Sequence, residues 1–247
     1  MLSNIRIVLV ETSHPGNIGA VARAMKNMTM DQLYLVSPKI FPSADATARA
    51  AGADHILGSA KICQSLSEAV ADCHLVVGTS ARLRTLNWPL YSPRSLATEL
   101  SHKTDIQTAI VFGRENSGLS NEELNQCHYL LQIPCNDSFS SLNIAAAVQV
   151  MVYELFVIAQ QDPAPVKINA KNDWRPATSE QLERFFEHLQ QTLLDINFLQ
   201  PGQSTSMMQR LRRLFHKSQL DSKEVDIMRG ILSAAGTHKN RRPSNSN

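Results

Sequence analysis

Through its first 160 residues the chain alternates short β-rich runs with segments of helical periodicity, and no other feature narrows the fold as much. Five strands are expected, at residues 5–10, 32–36, 74–78, 108–112 and 129–133. Helical segments lie between them at about 17–28, 43–52, 66–72, 93–101 and 120–126, and a long apolar helix spans about 142–161. Strands that alternate with helices in this way predict an α/β domain, a parallel sheet flanked by helices and doubly wound.

A helical unit follows. Asp162-Pro163-Ala164-Pro165 ends the long helix, and the polar stretch through Pro176 reads as a linker. Thr178 or Ser179 can cap a helix that carries Leu182, Phe185, Phe186, Leu189, Leu193 and Leu194 at three- and four-residue spacing. Met207, Met208, Leu211, Leu214 and Phe215 mark a second helix, and Val225, Ile227, Met228, Ile231 and Leu232 a third. The expected division is an α/β domain at 1–161, a linker at 162–177, a helical domain at 178–236 and a polar, disordered tail at 237–247.

Several function classes can be set aside. The apolar run from Ile144 to Ala159 is interrupted by Gln149 and Glu154 and is too short to cross a bilayer unaided, so it reads as a buried helix. The N-terminus lacks the pattern of a secretory signal, and a cytoplasmic location is expected. Cys63, Cys73, Cys127 and Cys135 show no C-x-x-C pairing, and the eight histidines show no metal-ligand spacing, so no metal is expected. The net charge of +2 hides an asymmetry. Residues 1–161 hold 11 basic and 13 acidic side chains, and residues 162–247 hold 13 and 9. A basic C-terminal third is compatible with a polyanionic partner.

In a doubly wound sheet, ligands bind where loops leave the carboxyl ends of the strands. Four such loops stand out: Gly16-Asn17-Ile18-Gly19 with Arg23 one turn on, Gly78 to Arg84, Gly113-Arg114-Glu115-Asn116-Ser117-Gly118-Leu119, and Ile133-Pro134 to Ser141-Leu142-Asn143. Gly113 and Gly118 have the glycine spacing of a phosphate-binding loop, but Leu119 stands where that loop needs lysine and Glu115 would repel phosphate. The dinucleotide fingerprint G-x-G-x-x-G and the hydrolase elbow G-x-S-x-G are both absent.

Taken in order, the loops resemble the SPOUT superfamily of RNA methyltransferases, whose motifs are an early Asn…Arg (Asn17, Arg23), a central Gly-x-Glu (Gly113, Glu115) and a late Ser-Leu-Asn (Ser141, Leu142, Asn143). The runs Glu11-Thr12-Ser13-His14-Pro15-Gly16-Asn17 and Thr79-Ser80-Ala81-Arg82, with the helical extension, are similar to the TrmJ type of bacterial enzymes that methylate nucleotide 32 of tRNA. The resemblance implies a trefoil knot between about Gly113 and Gln149, which periodicity alone does not predict. It further implies a homodimer with an active site shared across the interface, S-adenosylmethionine as cofactor and tRNA as partner.

By the same resemblance, backbone at Thr79, Ser80, Ala81, Gly113, Ile133, Ser140, Ser141 and Leu142 holds the cofactor, with Gly113 allowing close approach. The resemblance also makes Asn17, Arg23, Glu115, Ser141 and Asn143 the expected catalytic set. A guanidinium offers no acceptor lone pair, so Arg23 suits phosphate gripping and alkoxide stabilisation rather than general-base work; the proton then goes to that phosphate, to water or to Ser141. Arg82 and Arg84, with Trp88 to stack on a base, are RNA-contact candidates. So are Arg210, Arg213 and Lys217, read as a stripe opposite Met207, Leu211 and Leu214.

Simpler roles compete with these. Asn17 can be a helix cap, Arg23 a solvated helix residue, Ser141 and Asn143 caps of the long helix, Glu115 an ion-pair partner of a nearby arginine, and the basic stripe a solvated face. Methylation of another tRNA or ribosomal RNA ribose and RNA binding without catalysis are the alternative functions.

Overall fold

Strand β1 (Ile5–Val10) is buried at every position, which a strand sustains only when layers cover both faces of its sheet. It lies inside a seven-stranded sheet with β2 (Leu33–Val36), β3 (Lys61–Cys63), β4 (Leu75–Thr79), β5 (Leu90–Tyr91), β6 (Thr108–Phe112) and β7 (Tyr129–Leu131). The order is β3-β2-β1-β6-β4-β7-β5, and every pairing is parallel. The computed structural model describes residues 1–80, 88–136, 138–161, 175–200 and 204–239. Two compact units divide the chain, Met1–Lys171 and Asn172–Asn247.

The alternation of side chains along β1 sorts the two cores of the first unit. Ile5, Ile7 and Leu9 pack under α1 (Pro15–Asn27), α2 (Ala44–Ala50), α3 (Asp54–Ser59), α5 (Pro93–Ser101) and α7 (Ile144–Gln161). Val8 and Val10 face the smaller core under α4 (Leu66–Val70) and α6 (Asn121–Leu124). Arg6 shares that second face, buried to 3% exposure, and its guanidinium meets both Asp72 oxygens at 2.6 and 2.7 Å while lying 4.2 Å from the Tyr34 ring centroid.

All five expected strands form. The two that the periodicity missed are the sheet edges β3 and β5, three and two residues long, too short to carry a repeat and partly solvated at Ile62 and Leu90. The helical segment expected at 43–52 is α2, which stops at Ala50 because Ala51 and Gly52 turn left-handed with φ of 46° and 92°; α3, just beyond that turn, was not expected from the sequence. Helix α1 starts earlier than expected, with Pro15 in its first turn, where proline's missing N–H costs nothing. A Cβ on Gly19 would sit 2.0 Å from the Ala46 carbonyl oxygen, so glycine is what lets α1 and α2 cross this closely. Helix α7 is less enclosed than the sequence implied. Ile144, Val148, Met151, Val152 and Leu155 are buried, whereas Val150 and Tyr153 are exposed.

In the second unit, α8 (Ser179–Asp195), α9 (Ser204–Ser218) and α10 (Ser222–Lys239) surround Phe185, Phe186, Leu189, Met208, Val225 and Leu232. Thr178 and Gln181 form a reciprocal capping box at the start of α8. The inward face of α9 is rotated from the one expected. Met208, Leu211 and Phe215 pack inward, leaving Met207 and Leu214 at 39% and 61% exposure. The rotation follows from two anchors, the edge-on contact of Phe215 with Phe185 at 4.8 Å and the bidentate pairing of Arg212 with Glu183. Helix α10 runs on to Lys239, past residue 237 where the sequence placed the start of the tail. Most of the expected linker, 162–174, and residues 240–247 lie outside the described residues.

His128 opens β7 by an unusual substitution of side chain for backbone. Its N–H donates to the Val76 carbonyl at 2.8 Å, and its Nδ1 accepts the Val76 N–H at 3.1 Å. Burial pushes the imidazole down to about 4. An unfolded histidine titrates near 6.5, so the neutral ring stabilises the fold fully above that pH, and this contribution of about 3 kcal/mol drains away as pH falls toward 4. Urea unfolding of His128→Gln is expected to show a flatter loss of stability between pH 6.5 and 4 than the parent. Equal slopes would show that His128 does not contribute to this pH dependence.

Candidate functional site

The carboxyl ends of β6, β4 and β7 are neighbours in the sheet, and this brings Gly113, Thr79 with Ser80, and Ile133 to one edge. The Ser80 N–H donates to the Leu131 carbonyl at 3.0 Å, carrying the ladder one step past the strand. Beyond β6 the loop closes on itself: Arg114 N–H to Gly118 O at 3.3 Å, and Gly118 N–H to Arg114 O at 2.9 Å, with Gly118 at φ +69°. A Cβ on Gly113 would lie 2.2 Å from the Gly118 carbonyl carbon. The loop's own backbone therefore demands glycine here, independently of any ligand.

Glu115 is the centre of the edge. Its carboxylate accepts from the Ser13 N–H at 3.2 and 3.1 Å, the Ser13 hydroxyl at 3.0 Å, the His14 N–H at 3.5 Å and the Asn17 side-chain amide at 3.0 Å. Burial works to raise its pKa, but the hydrogen bonds from Asn17 and Ser13 outweigh it and hold the carboxyl below the ordinary value. The Asn17 side-chain oxygen, Oδ1, in turn accepts from the Asn143 side-chain amide at 3.0 Å, and Asn143 Oδ1 accepts from the Ala145 and Ala146 N–H groups at 2.9 and 3.4 Å. Residues 126 positions apart are thus joined through one side-chain relay.

Arg114 stands beside this relay with both terminal nitrogens paired. It bridges Glu11 and Glu123, the latter at 3.0 and 3.1 Å, and both carboxylates raise its pKa. Glu11 also meets Lys39 at 3.3 Å, and the hydrogen bond from Arg114 is the main cause of its lowered pKa. Glu11, the residue after β1, has φ 45°, a conformation uncommon outside glycine, which turns the chain toward Ser13.

The simpler roles divide accordingly. His14, not Asn17, is the N-cap of α1, and Asn17 points its amide at Glu115. Among the described residues Glu115 has no arginine partner. Asn143 does cap α7, in addition to binding Asn17. Ser141 and Leu142 are exposed and Ser140 half-buried, immediately before that helix. Arg23 is exposed on α1, about 120° around the helix from Asn17, with no hydrogen bond or ion pair among the described residues.

Trp88 is not free to stack: it packs against the second core and its indole N–H donates to the Cys127 carbonyl at 3.2 Å. Arg210 and Lys217 are exposed as expected of a surface stripe, but their neighbours on that face include the exposed Met207 and Leu214, and Arg213 is half-buried. Ala81, Arg82 and Arg84 lie outside the described residues. Sequence reasoning missed Ser13, which no spacing rule marks, although it sits in the same short run as Asn17. Among the described residues no cluster of His, Cys, Asp or Glu is placed to hold a metal ion.

The SpoU rRNA Methylase family matches residues 4–153, and the C-terminal domain of tRNA methyltransferase TrmJ matches residues 180–245. The tRNA (cytidine/uridine-2'-O-)-methyltransferase TrmJ of Cronobacter sakazakii is 47% identical, covering 98% of this chain and 100% of the relative. The tRNA (cytidine/uridine/adenosine-2'-O-)-methyltransferase TrmJ of Pseudomonas aeruginosa is 47% identical over 94% of each chain. Among solved structures, TrmJ from Z. mobilis ZM4 superposes with a TM-score of 0.81 at 32% identity, covering 93% of this chain and 97% of that one.

Glu115→Gln tests the relay. Its amide nitrogen must face one of the donors that now converge on the carboxylate, so urea unfolding at neutral pH is expected to show a loss of about 1–3 kcal/mol. Because the native carboxyl titrates below its unfolded value, that advantage is present above the unfolded pKa and is lost as pH falls through the folded one; the difference between parent and variant narrows in acid. A pH-independent difference would show that packing, not charge, is what the substitution disturbs.

Proposed function

The chain belongs to the SpoU rRNA Methylase family, and from that premise we propose that it transfers a methyl group from S-adenosylmethionine to the ribose 2′-hydroxyl of nucleotide 32, cytidine or uridine, in the anticodon loop of tRNA. The observation that carries the site assignment is the relay Glu115–Asn17–Asn143, which ties the three sequence motifs to one another by hydrogen bonds of 3.0 Å. The near full-length relatives, named for tRNA cytidine and uridine 2′-O-methylation, support the substrate.

The residues at the sheet edge fit an adenosyl sulfonium better than a phosphate. Arg114 is committed to two carboxylates, so it is not available to clamp a phosphate, and Glu115 leaves the loop acidic. Backbone at Thr79, Ser80, Gly113, Ile133, Ser140, Ser141 and Leu142, with Ala81, would hold the cofactor; bound there, it supplies the methyl group as an electrophile. Asn143 fixes where Ser140–Leu142 meet the helix, and Asn17 and Glu115 fix Asn143. Positioning of this kind supplies much of the rate in a displacement that needs the 2′-oxygen in line with the departing sulfur.

Arg23 grips the phosphate beside the target ribose and stabilises the developing alkoxide, and the proton passes to that phosphate, to water or to Ser141. Its exposure and its position about 120° from Asn17 support service in a second subunit's site rather than its own. The exposed hydrophobic side chains Val150 and Tyr153 on α7 support a homodimer. Arg82 and Arg84, with Arg210, Arg213 and Lys217 in the second unit, contact RNA phosphates, and work on tRNA places the enzyme in the cytoplasm.

Two measurements test this reading. Mapping ribose methylation in total tRNA by mass spectrometry, with and without the gene, is expected to show loss at nucleotide 32; unchanged methylation there overturns the assignment. Arg23→Lys is expected to lower kcat by about 100-fold, the scale of losing one oriented donor, with little change in tRNA affinity. Near-normal turnover in that variant would exclude the bidentate role.

A further inference from the structure

The proposed reaction acts on a sugar, yet the base attached to that sugar must also be seated. With Trp88 committed to the second core, the loops at the carboxyl edge of the sheet present one strongly exposed aromatic ring among the described residues, that of Phe139, at 78% exposure. The ring stands on a tied turn. The Phe139 N–H donates to the Asn136 carbonyl at 2.9 Å, and the N–H and hydroxyl of Ser138 both donate to Asn136 Oδ1, at 3.0 and 2.8 Å. Ser140 and Ser141 follow directly, then Leu142 at 40% exposure.

We infer that Phe139 is the stacking platform for the base of the target nucleotide. The inference rests on the methyl-transfer reading above. A neutral ring adds nothing to the charge of an edge that already holds Glu11 and Glu115, and its π-face is available to a base without loss of any existing contact. Stacking reads the face that all bases share, whereas hydrogen bonds to base edges discriminate among them. A platform of this kind suits an enzyme type whose relatives are named for cytidine and uridine, and in P. aeruginosa for adenosine as well. It also explains why no base-reading polar residue stands out in the loop sequence.

The test uses the full chain, tRNA transcripts with an intact or an abasic nucleotide 32, and calorimetry with S-adenosylhomocysteine. Phe139→Ala is expected to raise the KM for intact tRNA roughly tenfold and to leave S-adenosylhomocysteine affinity unchanged, while Phe139→Trp retains parent behaviour. The abasic transcript is expected to raise the parent's KM by a similar factor, with no further rise in Phe139→Ala, since the two changes remove the same contact. An unchanged KM in Phe139→Ala, weakened S-adenosylhomocysteine binding, or penalties that multiply on the abasic transcript each overturn the inference. A parent enzyme inactive on intact tRNA overturns the reaction itself and the inference with it, whereas an active parent with an indifferent Phe139→Ala overturns the stacking role alone.

Discussion

The site depends on a carboxylate that can only accept hydrogen bonds. Because Glu115 offers no donor, Asn17 must turn its NH2 toward it and so present its oxygen to Asn143; Asn143 must then donate with its NH2 and present its own oxygen to the N–H groups that open α7. The polarity of the relay is thus set at both ends, by an acceptor-only group and by a helix terminus that has only donors to offer. A reversed amide at either asparagine would set donor against donor or acceptor against acceptor. The negative charge also lies where the N-terminal backbone of α1 converges, an arrangement favoured by the orientation of peptide dipoles.

Around this relay the structure separates groups that hold from groups that are free to act. Arg114, Glu11, Glu123 and Lys39 satisfy one another at partly exposed positions, so their value lies more in fixing the shape of the loop than in stability. Gly113 is spent on the close return of Gly118 and Leu119. Arg23, Ser141, Leu142 and Phe139 are exposed. The rigid members belong to the sheet edge, and the exposed members are those that a nucleic acid and a cofactor could reach.

Much of this was legible in the sequence because it follows from repeated pattern. A strand such as β6, buried at all five positions, writes a continuous apolar run that needs no tertiary information to read. The edge strands β3 and β5 write almost nothing, since pairing with β2 and β7 rather than their own composition makes them strands. The face of α9 was misread for a related reason. Met207, Met208, Leu211, Leu214 and Phe215 span more of the helix than one core can cover, and the contacts that choose among them, Phe215 on Phe185 and Arg212 on Glu183, lie on another helix. At the site, motif order found Asn17, Glu115 and Asn143, but the part played by Ser13 is visible only once β1 and β6 lie side by side.

Helix α7 links the relay to the exterior of the subunit. Its sequence is apolar enough along 18 residues to resemble a membrane span, yet it begins at the Asn143 cap and packs one face against α1 and α5, while Val150 and Tyr153 remain exposed. An apolar helix with a free face is a costly arrangement for an isolated subunit, since exposed apolar area forgoes about 25 cal/mol per Å². Arg23 shows the same incompleteness in polar form, a cation on α1 turned away from the relay that its own helix helps to build. In the proposed dimer, a second subunit covering α7 and receiving Arg23 would answer both with one contact, and the Asn17–Asn143 bond would then tie the loop before α7 in one site to the helix proposed to serve the other.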